Sequence, residues 1–197
     1  QGRKNGYLSE LLRPRFSILD PSFTKTLPAY QTACGAADML AHVLERYFVP
    51  LEHVDVTDRL CEAHMRSIMK NARLALKHPH DYDYRAEVML AGMIAHNDWL
   101  NLGRTRGDWA SHAIEHELSA MYDIADGAGR AIVFPAWMKH VYKEDVGRFA
   151  LWAREVFGIA AHDDEEAALL GIDALEGFFK DVCLPVRMSE ADIEDDK

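Results

Sequence analysis

Asp38 and His42 stand four residues apart in Ala36-Ala37-Asp38-Met39-Leu40-Ala41-His42. On a helix that spacing puts a carboxylate and an imidazole on one face, one turn apart, where they can share a divalent ion. The pair alone is more often an ordinary surface contact, so a metal reading needs partners. His112 and His116 form a second pair at the same spacing. Two facing helices carrying these side chains would make a set of carboxylate and imidazole donors of the kind that holds iron or zinc. One histidine of the second pair can still be a plain core or surface residue. Asp126 precedes Gly127-Ala128-Gly129, a small-residue turn opening a helix. There a carboxylate can act as N-cap and also point into a cleft.

A competing motif overlaps the second pair. His112-Ala113-Ile114-Glu115-His116 is an H-x-x-E-H string, the zinc-peptidase arrangement of two metal-binding histidines and a water-activating glutamate, with Glu190 as a distant third ligand. That reading leaves Asp38 and His42 without a role. The other histidines, His96 among them, lie in loops or lack a helical partner and are given no chemistry. No G-x-G-x-x-G follows a strand, and there is neither a G-K-[ST] loop nor a G-x-S-x-G elbow, so phosphate cradling and serine hydrolysis have no anchor.

The elements that must position these residues are helices. Apolar residues recur at three and four from Pro28 to about Phe48, where Pro50 ends the run. A second helix is predicted from Asp58 to Lys77, capped by Thr57 or Asp58, with His78-Pro79-His80 as its stop. A third runs from Tyr84 to Leu102, capped by Asp81 or Asp83, and its apolar middle, Val88 to Ile94, predicts burial on most sides. Asp108 to Met121 follows, reached through the polar loop Arg104 to Trp109; then a helix runs to about Tyr142 with Pro135 as a kink, and two more span 146–157 and 164–183. Phe16 to Pro21 reads as a short strand or an extended linker without a partner. The fold class is all-α, a multi-helix bundle with at most one short N-terminal strand.

The chain has 197 residues, 49% of them hydrophobic, enough for one cored domain. Its formal charge of -10 argues against nucleic acid and against an anionic membrane surface as partners. Cys34, Cys61 and Cys183 are odd in number and widely spaced, which predicts buried thiols in a reducing compartment and no disulfide framework. No apolar run approaches a membrane span, and the first residues lack a signal-peptide core, so the cytoplasm is the expected location. Ser189 to Lys197 is an acidic run with almost nothing to bury.

Several segments together carry a family resemblance: Leu11 to Pro21, Thr26-Leu27-Pro28, Gly35 to His42, Gly107 to Leu118, Gly127-Ala128-Gly129 and Phe134-Pro135-Ala136-Trp137. On these the sequence is similar to the C-terminal, metal-binding half of the iron-containing (group III) alcohol dehydrogenases, near their butanol dehydrogenase branch. The resemblance implies a dehydroquinate synthase-like C-terminal helical domain. It also implies a divalent metal, iron or zinc, held by one aspartate and three histidines, of which the first three match Asp38, His42 and His112. At the fourth position, just before the Gly-Ala-Gly turn, this sequence has Asp126 where the pattern has histidine. A carboxylate there can still ligate, with added negative charge and a different reach.

His116 matches a family histidine near the nicotinamide and is the implied catalytic and cofactor-contacting residue, and Leu27 is implied to touch the cofactor. The implied reaction is hydride transfer between a primary alcohol and NAD(H) or NADP(H), with an alcohol or aldehyde as the small-molecule substrate and the metal as Lewis acid. Residues 1–27 would then be the edge of an N-terminal nucleotide-binding domain, and residues 28–197 a C-terminally incomplete helical metal-binding domain. Two alternatives stay open: a catalytically silent metal-binding or assembly module, and the H-x-x-E-H peptidase. A homodimer is compatible with either.

Overall fold

A computed structural model describes residues 4, 6–7, 9–104 and 107–193. Among the described residues seven α-helices carry the fold: α1 (Ala29–Tyr47), α2 (Asp55–Lys77), α3 (Tyr82–His96), α4 (Ala110–Tyr122), α5 (Asp126–Val141), α6 (Val146–Phe157) and α7 (Asp164–Asp181). No strand occurs among the described residues; Phe16 to Asp20 is irregular, and Asp20 caps a 3-10 turn, Pro21–Thr24, by accepting from the Ser22 amide. Phe16 and Ile18 have no neighbouring strand to pair with and stay exposed. Thr105 and Arg106 of the polar loop, the first three residues and the last four of the acidic run lie outside the described residues.

α1 is the central helix, packed against α2, α3 and α5, while α6 and α7 pack on each other and join the rest through α2 and α5. Ala33, Ala36, Ala37 and Leu40 on α1 are buried with Met65 and Ile68 of α2 and with Phe178 and Phe179 of α7. The small residues of α1 allow close approach. At Gly127, on the first turn of α5, a Cβ would lie 2.0 Å from the Cys34 carbonyl oxygen, so only glycine lets α5 sit this near α1. Pro135 lies inside α5 and the helix continues through it, without the amide that Ala131 would otherwise use.

Several boundaries differ from those predicted, each for a local reason. α2 starts at Asp55, and neither Thr57 nor Asp58 caps it, because both are used in tertiary contacts. Thr57 donates to the Leu102 carbonyl at 3.0 Å, and Asp58, 6% exposed, binds Arg104 and Arg148. α3 does begin at an Asp81 cap, yet it ends at His96, since Asn97 is extended and its side chain takes the Trp99 amide. Its apolar middle is only half buried, with Leu90 and Met93 exposed. Cys34 and Cys61 are buried as expected, whereas Cys183 is exposed, in the left-handed conformation that closes the turn after α7. Ile193, in the acidic run, is buried.

Candidate metal centre

Asp38 and His42 project from the middle of α1, and His112 from the first turn of α4. One donor atom of each lies within 4.8 Å of the others, so these three predicted residues do converge. His42 Nδ1 and His112 Nε2 are buried and have no hydrogen-bond partner among the described residues. Such orphans are rare in a folded interior and mark a place built for a further atom. Burial first, then the neighbouring His96, His112 and Arg46, push the His42 imidazole down to about 3, so it is neutral and keeps a free lone pair.

His112 is oriented by Glu45. The Glu45 carboxylate, 2% exposed, accepts from His112 Nδ1 at 3.0 Å, from Ser111 Oγ at 2.5 Å and from the Trp109 amide at 2.7 Å. Burial works against its charge, but these bonds outweigh it and hold the carboxyl below its ordinary range. With Nδ1 engaged, Nε2 is the nitrogen left for the cleft, the usual arrangement behind a metal-binding histidine. The loop entering α4 is pinned to the same spot. A Cβ on Gly107 would lie 2.5 Å from the Glu45 carbonyl oxygen, and Trp109 is left-handed at φ 58. Trp109 meets both rings edge-on, its centroid 5.3 Å from that of His42 and 4.7 Å from that of His112.

Two residues given no role from sequence belong to this cleft. His96 Nε2 is 3.0 Å from Asp38 Oδ2, and its ring lies 4.2 Å from that of His42. Its side-chain partner, Asp38, is on another helix, α1. Arg130, from α5, is 4% exposed and its Nη1 pairs with Asp38 Oδ1. The visible signal for it is a lone charge in the otherwise apolar run Ala128 to Phe134.

Asp126 and His116 fall elsewhere. They form a second group with Glu115, again with one donor atom each within 4.8 Å. Asp126 is the first residue of α5, not its N-cap, which is Ala125; its carboxylate is held by Lys4 at 2.7 Å. Glu115 is fully buried, and burial, with the charge of Asp126, pushes its carboxyl up to about 7. His116 is exposed, with its ring centroid 6.5 Å from that of His112. The H-x-x-E-H string is therefore split between two donor groups, and Glu190 is occupied locally, accepting from the Val186 amide at 2.7 Å. Leu27 lies at the entrance to α1, partly exposed, beside a shallow cavity of about 120 Å³ shared with Gln31 and Arg85.

One carboxylate and two imidazoles, two of them with orphaned buried nitrogens, fit a divalent ion of the borderline kind.

Residues 32–197 match the C-terminal region of the Fe-containing alcohol dehydrogenase family. A probable NADH-dependent butanol dehydrogenase 1 of Bacillus subtilis is 41% identical over 196 residues, 98% of this chain and 50% of the relative. The NADPH-dependent aldehyde reductase YqhD of Escherichia coli is 34% identical over 191 residues, 96% of this chain and 49% of the relative. The crystal structure of NADH-dependent butanol dehydrogenase A from Thermotoga maritima superposes with a TM-score of 0.90 at 43% identity, covering 94% of this chain and 46% of that one. The chain spans about half the length of the curated relatives it matches. By these matches and by its helical fold, the chain belongs to the Fe-containing alcohol dehydrogenase family.

Proposed function

We propose that this chain is the metal-binding domain of an NAD(P)-dependent alcohol dehydrogenase or aldehyde reductase, with Asp38, His42 and His112 as metal ligands. The observation that carries this is the convergence of those three donors, His112 being aimed by a buried glutamate. Bound there, iron or zinc supplies a Lewis acid for hydride exchange between a primary alcohol or aldehyde and a nicotinamide. The protein groups do the positioning. Neutral His42 presents a lone pair without having to lose a proton first, and Glu45 orients the His112 ring toward the cleft. Trp109 packs edge-on against both rings and helps fix their positions.

His116, exposed beside the cleft, is assigned to proton exit or to packing against the nicotinamide, and Leu27 to contact with the same cofactor. Asp126 enters the cleft's charge balance from the far side of Arg130. In this reading residues 28–197 form the metal-binding domain, residues 1–27 lead into it, and the nicotinamide is held mainly by sequence outside these 197 residues.

The test is reduction of butanal by a full-length protein carrying this chain, with NADH and with NADPH, after chelation and after reloading with iron(II) or zinc. Activity that disappears on chelation and returns on reloading is the expected result. A reloaded protein that reduces no aldehyde with either nucleotide contradicts the dehydrogenase reading.

A further inference from the structure

Arg130 is a permanent charge in a place where the helix offers it nothing. It lies near the N-terminus of α5, where the backbone dipole disfavours a cation. It is also 4% exposed, so water does not solvate it. What holds it is a ring of carboxylates from three helices. Asp38 of α1 pairs with Nη1, while Glu115 Oε2 of α4 and Asp126 Oδ2 of α5 lie 3.7 Å and 3.9 Å from Nη2. The guanidinium thus stands between the two donor groups and uses an oxygen of the one carboxylate in the Asp38, His42 and His112 set.

A divalent ion at those three residues would have to share Asp38, whose Oδ1 pairs with Arg130 and whose Oδ2 lies 3.0 Å from His96 Nε2, and it would sit beside a side chain that cannot shed its charge. We infer that Arg130 is the resident cation of this cleft, and that a divalent ion enters only by displacing its guanidinium from Asp38. The inference rests on the proposed ligand set and adds what regulates it: metal affinity is set by competition with a side chain of the same protein. The acidic residues Glu115 and Asp126 are the displaced guanidinium's remaining partners, which makes the exchange a short movement within one carboxylate ring.

The experiment titrates cobalt(II), followed by its visible absorption, and zinc, followed by calorimetry, into the 197-residue chain and into Arg130→Leu and Arg130→Gln. Thermal unfolding is recorded with and without metal. Both variants are expected to bind the ions roughly tenfold or more tightly than the unmodified chain. Without metal they should melt lower, because the carboxylates lose their cation, and metal should restore the loss. The Gln variant keeps a neutral hydrogen-bonding group against Asp38 and serves if the Leu variant does not fold. Equal affinities in all three proteins overturn the inference and leave the ligand set standing. Absence of binding in all three overturns both.

Discussion

Glu45 Oε1 and His112 Nδ1 are 3.0 Å apart, with the carboxylate buried at the end of α1 and the imidazole on the first turn of α4. This one bond decides which nitrogen of His112 faces Asp38 and His42. It ties the loop into α4, through the Trp109 amide and the Ser111 hydroxyl, to the helix that carries the other two donors.

Removing the charge from Glu45 should therefore weaken the ion without touching a ligand. Glu45→Gln is expected to lower zinc affinity by about 10- to 100-fold, the usual effect of losing a carboxylate behind a metal-binding histidine. Calorimetric titration checks it. An unchanged affinity would mean that His112 is oriented by packing alone.

Much of this centre was legible in the sequence because α1 is strongly periodic: once a helix covers residues 29–47, Asp38 and His42 must share a face. His112 joined them through the motif around it. Glu45, His96 and Arg130 were not legible for a common reason. Each acts on a residue of another helix, and no spacing along the chain records that α4 crosses the end of α1, or that α3 and α5 flank Asp38. The boundary errors have a similar origin. Thr57 and Asp58 have the right chemistry for caps, and tertiary partners at Leu102, Arg104 and Arg148 take them instead. The apolar middle of α3 predicts burial on most sides and is only half buried, because periodicity cannot say how many neighbours a helix has.

Close approach of α1 and α5 makes a sharp contrast between two glycines. Gly127→Ala forces a methyl group into the Cys34 backbone and should cost about 2 kcal/mol or more. Gly177→Ala on α7 meets nothing within 4 Å and should raise stability by roughly 0.5 to 1 kcal/mol through helix propensity. Urea unfolding of the two variants checks both signs.

Glu176 governs part of the acid response. It is 6% exposed and accepts from Lys180 at 2.8 Å, Arg187 at 3.1 Å and Lys139 at 3.3 Å. Burial pushes its carboxyl up, and these three cations more than reverse that, holding it at about 2. A carboxyl depressed on folding stabilises the protein above its unfolded value of 4.5, and that contribution is lost as pH falls from there toward 2. Glu176→Gln should lower stability at neutral pH by on the order of 2 kcal/mol, allowing for the partly exposed lysines, and should flatten the loss over that acid range. Urea midpoints measured against pH for both proteins check it.

The ligand set itself is tested most directly by anomalous scattering from crystals soaked in excess cobalt(II). The account predicts one strong peak bonded by Asp38, His42 and His112, with Arg130 turned away from Asp38 toward Glu115 and Asp126. No peak there, or a peak held instead by Glu115, His116 and Asp126, would contradict it.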